Sequence, residues 1–590
     1  MVDCAECQLN FMKIVRRDDS LSALGSDFNP VLDRVFSARG LSVRELDHHI
    51  SALIPPSNLM GVGGFVNLML SAYQASLNIT VVGDYDTDGA TATAVCVKGL
   101  RLLGFQNVNF MVPNRFSTGY GLSVSLVDEM VKQFPKTHII VTVDNGISSV
   151  EAVSYAKRLG YKVCITDHHC PGDKLPDADV LVNPQLYDGA CELKSLAGVG
   201  VIFYCMLALR EGFNQQGYFS LASPKPSFAC LIDLVAFGTI ADLVTLNQNN
   251  RIIVHLGLQR IRKRQIGKGL YALIESSNVE IETISAVDIS YRLAPKLNAA
   301  GRMEDMTVGI ACLLSDDWDE AFRYSHMLLT LNKSRQHLQL SMLDSARAQV
   351  CTLKGRKKGL CLYHKEWHQG VIGILASQLK ERYYQPTVVF SDDVDESLIK
   401  GSCRSIPGIN IRSVLGNIDK KKPGLLLKYG GHRMAAGVSL ERKNLDLFRS
   451  YFNTEIANFS DSLFEETLYI DAELVGSELC LSTAIAIEKF GIWGQSFEEP
   501  LFGGKFIIVS KRILKAKHLK LRLKLEDESH YHEAIWFNAP EEFLDRYCED
   551  ETFYCCYRLT VNRFRAIRSL TINIMYMETV HDLAMAPMNP

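Results

Sequence analysis

Residues 81–95 read VVGDYDTDGATATAV, and Asp84, Asp86 and Asp88 alternate there between an apolar run and a glycine. Carboxylates this close repel one another strongly unless a cation lies among them. A calcium-binding EF-hand loop opens in the same way, with ligands at positions 1, 3 and 5 and glycine at 6. Counted from Asp84, however, position 12 is Val95 and not the closing glutamate, and the flank NITVVG is a β-branched stretch where that motif needs a helix. A solvated acidic turn is the plain alternative.

Two further stretches share the design of LNITVVGDYDTDG. THIIVTVDNGISS and YKVCITDHHCPG also run from a short apolar segment into a polar cluster, carrying Asp144 in one case and Asp167, His168 and His169 in the other. Helix-like segments near 90–104 and 147–159 lie between them, so the order strand, helix, strand, helix, strand predicts a parallel sheet. A fourth strand is expected at 178–184. Parallel strands joined by right-handed crossovers bring all their carboxyl ends to one edge, so the three clusters must face one crevice. The apolar segment 230–246, CLIDLVAFGTIADLVTL, adds Asp233 and Asp242. Of these, Asp242 near its end is the better ligand candidate, while Asp233 fits a structural pairing equally well.

Carboxylates and imidazoles gathered in one crevice make physical sense around cations. Two divalent ions about 3.5–4 Å apart would turn this set into a device for in-line displacement at phosphorus. A donor set of carboxylates with one histidine and no thiolate suits Mn2+ or Mg2+ better than zinc. One of the two neighbouring histidines is expected on metal and the other on phosphate or the leaving oxygen, with Asp167 orienting an imidazole.

The rest of the chain must position this centre. Its 590 residues suggest roughly four domains, and 47% hydrophobic with 22% charged residues is the composition of a soluble globular protein. The first twenty residues contain acids and lack an apolar core, so they do not read as a secretory signal. No stretch of about 18 uncharged apolar residues appears, so a membrane span is not expected. The sixteen cysteines are scattered, and the Cys4–Cys7 pair has no second pair to complete a zinc site, a pattern suited to a reducing cytosol.

Asp-x-Asp-x-Asp-Gly, VDNG, DHH and GTIAD occur here in the order of the four motifs of the DHH phosphoesterase superfamily. VPNRFSTGYG, LAGVGV, RLAPKLNAAGRM, LNKSRQ, WHQGVIGILASQL, GSCRSI and YGGHRMAAG resemble, more narrowly, the RecJ family of single-strand-specific DNA exonucleases, over about residues 60–580. The resemblance implies an α/β protein: a parallel-sheet DHH lobe joined by a long helix to a second α/β lobe, the DHH-associated domain, followed by a β-barrel OB-fold. The corresponding boundaries are an N-terminal segment 1–50, a catalytic domain 51–316, a connecting helix 317–350, a DHH-associated domain 351–458 and an OB domain 459–590.

The resemblance further implies a metal-dependent 5′-to-3′ exonuclease that releases 5′-mononucleotides from single-stranded DNA in repair and recombination, in the bacterial cytoplasm. It would work as a monomer alongside a single-strand-binding protein and a helicase. By motif, Asp86 would bind the first metal, Asp88, His168 and Asp242 the second, and Asp144 would bridge. Asp84 would ligate or support the pair, with His169 and Asp167 completing the catalytic set. Arg115, Arg302, Ser402 and Arg404 would hold the strand's backbone or 5′ phosphate, and Gly430, Gly431 and His432 a further phosphate.

In the barrel, residues 505–525 hold eight Lys or Arg and no acid, and Arg558, Arg563, Arg565 and Arg568 follow. Interleaved Phe506, Trp536, Phe537, Tyr557 and Phe564 are candidates for stacking on bases, or for core. One departure from the family pattern is GQSFEEPLF, where a Gly-Asn-Pro-Glu-Pro stretch is usual before the barrel. Two other readings compete: a phosphodiesterase of the same superfamily acting on short oligonucleotides or cyclic dinucleotides, and a non-catalytic single-strand-binding scaffold.

Overall fold

A computed structural model describes residues 12–18, 24–25, 28–189, 191–221, 223–353, 358–526, 528, 530–545, 551–564 and 567–580. Cys4, Cys7, Arg565 and the side chain of Phe564 lie outside the described set. After a short strand β1 (Lys13–Arg16) comes the catalytic sheet of β2 (Ile79–Val82), β3 (Val108–Met111), β4 (Ile139–Val143), β5 (Lys162–Thr166) and β6 (Val180–Val182). Its order is β3-β2-β4-β5-β6, parallel throughout. The predicted crossovers appear as Thr87–Leu102 and Val150–Arg158. The sequence reading omitted β3 and the helix Val124–Gln133, which intervene between β2 and β4.

That omission matters for the site. Because β3 and β4 lie on opposite sides of β2, the chain reverses direction across the sheet between β2 and β4, which is where open α/β sheets leave a crevice. β2 and β4 are wholly buried. Ile79, Val81, Ile139 and Val141 pack on one face with Val95 of the helix Thr87–Leu102, while Val82 and Ile140 pack on the other with Val127 and Val153. Covered faces explain why these strands are continuous apolar runs.

The helix Trp318–Thr352, capped by Asp317, spans from the catalytic core at Leu328 to the second lobe at Met342 and Ala346. That lobe has β7 (Leu360–Tyr363), β8 (Thr387–Asp392), β9 (Leu398–Arg404), β10 (Lys428–Gly431) and β11 (Ala435–Glu441), ordered β10-β11-β9-β8-β7. Only β7 and β8 run parallel.

Strands β12 (Thr467–Ile470) and β13 (Ala472–Glu473) lead into β14 (Phe502–Leu514), β15 (His518–Leu525), β16 (His532–Trp536), β17 (Thr552–Phe564) and β18 (Ile567–Thr579). β14 pairs with both β15 and β17, closing a five-stranded barrel in the order β14-β15-β16-β18-β17. Phe506, Trp536 and Tyr557 point inward and are buried, so these three stacking candidates are core residues. Phe537, 53% exposed, is the one of the five whose described side chain faces solvent. The basic stripes are partly neutralised as well: Lys520 and Arg522 both pair with Glu533, and Arg563 with Glu488.

The departing segment is firmly seated. Gly494 and Phe497 form a bridge, the Gln495 carbonyl accepts from Leu246 N, and Phe497 lies under the guanidiniums of Arg39 and Arg251. β1 pairs in parallel with β12, and Arg39 clasps Asp471 at 2.8 Å through two nitrogens. Among the described residues, no single helix is long and apolar enough to cross a membrane.

Candidate metal centre

Asp84, Asp86 and Asp88 leave the end of β2 in three directions. Asp86 caps the helix Thr87–Leu102, its Oδ1 accepting from Gly89 N at 3.0 Å, and Asp88 stands in the first turn, where a helix N-terminus favours negative charge. The Asp88 oxygens accept from Gly198 N (2.6 Å) and Val199 N (2.9 Å), at the start of the helix Gly198–Gln215. Asp144 follows β4 with φ 62, a left-handed conformation that turns its carboxylate into the crevice. Asp242 closes the helix Ile232–Ala241.

Three sets of donor atoms converge, each within 4.8 Å: Asp84, Asp86 and Asp144; Asp88, His168 and Asp242; Asp144, His168 and His169. Asp144 belongs to the first and third. His168 Nε2 lies 3.1 Å from Asp144, 3.7 Å from Asp242 and 3.9 Å from Asp88, yet among the described residues neither it nor Asp144 Oδ1 has a partner in hydrogen-bond geometry although both are buried. Unpartnered buried donors beside clustered carboxylates are what a divalent cation would satisfy, and an oxygen-rich set with one imidazole fits Mn2+ or Mg2+. Asp233 belongs to none of these sets. It lies in the first turn of the helix that Asp242 ends.

Asp167 serves differently. Its Oδ1 accepts from His168 N (2.7 Å) and His169 N (3.1 Å) and faces His169 Nδ1 at 2.8 Å, while Oδ2 accepts from Ile147 N. Although burial disfavours its charge, these hydrogen bonds hold its carboxyl below the usual range. Burial likewise opposes the His169 imidazolium, but the hydrogen bond to Asp167 and its charge bring the ring up to about 9. His168, buried beside His169, is pushed down.

Burial and mutual repulsion raise four of the clustered carboxylates. Asp84 and Asp144 lie well above the ordinary carboxylate value, and burial together with Asp242 takes Asp88 up to about 7, as burial and Asp86 take Asp242. These groups hold protons more tightly folded than unfolded, so they stabilise the metal-free fold below roughly pH 4 and that contribution is lost as pH rises towards about 7. His168 acts in the opposite sense, as do His48, His255, His368, His432 and His532, but their gain is complete by about pH 6.5. Denaturant midpoints measured in chelator are therefore expected to fall between about pH 6.5 and 8, and saturating Mn2+ to abolish the decline. A midpoint that rises with pH in chelator would contradict the clustered charge.

Three guanidiniums flank the carboxylates. Arg302 is brought down to about 9 by burial and by its neighbours Arg115 and Arg404. Arg115 lies 4.1 Å over the Tyr85 ring and donates to the Gly301 carbonyl; Arg302 donates across the lobes to the Gly370 carbonyl; Arg404 donates to Ser402 Oγ. Cations that repel each other, with no carboxylate among the described residues clasping them, suit an anion. The β10–β11 hairpin brings His432 to within 5.4 Å of His169, ring to ring, and Gly431 at its tip has φ 134. Gly430 is exposed.

Other contributors were not singled out from the sequence. Thr87 N donates to Asn298 Oδ1, and Gly301 lets its helix approach Tyr85 so closely that a Cβ would strike the Tyr85 carbonyl. Gly198 stands against Asp144 in the same way. Their motifs, LNAAGRM and LAGVGV, were visible; the contacts requiring glycine were not.

Residues 78–239 match the DHH family N-terminal domain, 356–458 the DHHA1 domain and 470–576 the RecJ OB domain. The single-stranded-DNA-specific exonuclease RecJ of Salmonella typhimurium is 41% identical over 570 residues, covering 95% of this chain and 97% of that protein. The chain belongs to the RecJ family. RecJ of Haemophilus influenzae is 39% identical, with 97% of this chain and all of that protein covered. Among solved structures, RecJ of Thermus thermophilus in complex with Mn2+ superposes with a TM-score of 0.78 at 26% identity, over 96% of this chain and 80% of that one. Its Mg2+ complex gives 0.74.

Proposed function

We propose that this RecJ-family chain is a metal-dependent exonuclease that hydrolyses single-stranded DNA from the 5′ end and releases 5′-mononucleotides. The observation that carries the reading is the place of Asp144 in two donor sets, with an orphan oxygen beside the orphan His168 Nε2. Asp84, Asp86 and Asp144 would hold one ion, and Asp88, His168, Asp242 and Asp144 the other. Bound there, two divalent ions neutralise charge on the phosphoryl oxygens and supply a nucleophile from water at neutral pH.

The chain's own groups do the rest. Asp167 fixes the His169 ring through Nδ1, leaving Nε2 to donate to the scissile phosphate. Arg115, Arg302, Arg404 and Ser402 grip the terminal phosphate. His432, with Gly430 and Gly431, meets a neighbouring one, so the cleft between the lobes admits one strand. The barrel holds the strand beyond, its exposed Lys and Arg tracking the backbone and Phe537 offering a stacking face. An enzyme confined to single strands needs them supplied, which suits a single-strand-binding protein and a helicase in repair and recombination. We place it as a monomer in the bacterial cytoplasm.

Digestion of end-labelled single-stranded DNA with Mn2+, Mg2+ or chelator tests this. A 5′ label should appear at once as mononucleotide, a 3′ label last, and chelator should stop both. Activity confined to a dinucleotide, or unaffected by chelator, would overturn the proposal.

A further inference from the structure

The loop 112–123 folds over the carboxyl ends of β2 and β4, between β3 and the helix Val124–Gln133. Its Phe116 meets His368 of the second lobe edge-on at 5.8 Å. Tyr120 meets two rings of the centre in the same manner, Tyr85 at 5.8 Å and His169 at 6.0 Å. Gly119 (φ 84) and Gly121 (φ 63) turn the backbone on either side of it. Tyr120 is 50% exposed, so core packing does not account for it.

Its hydroxyl oxygen lies 3.4 Å from His169 Nε2, while Nδ1 of the same ring lies 2.8 Å from Asp167 Oδ1. An ionised carboxylate only accepts, so Nδ1 carries the hydrogen and Nε2 is the atom left to address substrate. Besides that bond the ring meets His168 at 4.4 Å and His432 at 5.4 Å, contacts that carry no hydrogen bond to fix its tilt. Nε2 carries a single hydrogen, and a hydroxyl 3.4 Å away can share it in a three-centre bond whose nearer branch goes to phosphate.

We propose that Tyr120 is a positioning residue for hydrolysis, its hydroxyl setting the tilt of His169 and thereby the aim of Nε2 at the scissile phosphate. This rests on the role given to His169 above. A different use of Tyr120, as an aromatic shelf for the terminal base, requires the ring and not the oxygen. Phenylalanine keeps the ring and removes the oxygen, so it separates the two.

Steady-state cleavage of a single-stranded oligonucleotide with Mn2+ should show Tyr120→Phe lowering kcat roughly tenfold, the scale of one orienting hydrogen bond, with KM within about twofold. In a His169→Gln background the same change should cost nothing further, because the group it acts through is gone. Tyr120→Phe at the parent kcat, or the same loss repeated in the His169→Gln background, would overturn the inference while leaving His169 in place. His169→Gln at the parent rate would overturn both.

Discussion

Asp144→Asn protein is expected to bind single-stranded DNA as tightly as the parent and to cleave it at least ~10³-fold more slowly, on the order of 4 kcal/mol of lost transition-state stabilisation. Asparagine is the informative choice. Position 144 has φ 62, which asparagine adopts readily and alanine does not, so the backbone stays and only the charge goes. The amide has one acceptor oxygen and no charge, whereas the carboxylate stands in two donor sets at once and presents an oxygen without a hydrogen-bond partner among the described residues. Removing it weakens both cation positions together, so excess Mn2+ should not restore the rate. Binding should persist because the groups proposed to grip phosphate, Arg115, Arg302, Arg404 and His432, are elsewhere. Removing one crowded buried charge should also raise the thermal transition of the metal-free protein. Single-turnover cleavage and fluorescence anisotropy of a labelled oligonucleotide check the two halves. Cleavage at a tenth of the parent rate would remove Asp144 from the bridge, and lost binding would place it in the strand grip instead.

The convergence of these ligands was legible in the sequence because parallel strands leave little choice: apolar runs ending in Asp84, Asp144 and Asp167 must end at one sheet edge. Asp242 and Asp233 show where pattern ran out. One apolar segment carries both, but as a helix it holds them roughly 13 Å apart along its axis, so at most one can reach the crevice. The barrel aromatics failed for a related reason. Trp536 ends β16 while Phe537 begins the turn after it, and only the closed pairing of β16 with β15 and β18 decides that Trp536 points inward. Tyr120 was beyond reach because a loop has no period from which to infer a neighbour. β3 hid because VNFM sits at the sheet edge with Asn109 in it, half exposed, and lacks the apolar run of the buried strands.

Glycine at 198 imposes the sharpest constraint that only the fold reveals, and Gly198→Ala is expected to lower cleavage ~10²-fold without removing any ligand, the scale at which groups supporting a metal site act. A Cβ there would lie 2.5 Å from Asp144 Cβ and 2.6 Å from its Cγ, and would press on Oδ1 as well, against about 3.5 Å for relaxed carbon contact. Neither partner yields easily. Asp144 directly follows a wholly buried strand, and the start of the helix Gly198–Gln215 is pinned because Gly198 N and Val199 N donate to the two oxygens of Asp88. Whichever side moves, a carboxylate of the centre moves with it, so the Mn2+ concentration for half-maximal rate should rise along with the loss. Gly63→Ala, in the exposed first turn of the helix Val62–Gln74, supplies the contrast: its Cβ meets nothing within 4 Å, and alanine there should leave cleavage unchanged and the fold slightly more stable. Cleavage by Gly198→Ala within threefold of the parent would mean that the helix start gives way without dragging Asp88, and that the centre tolerates motion where the packing says it cannot.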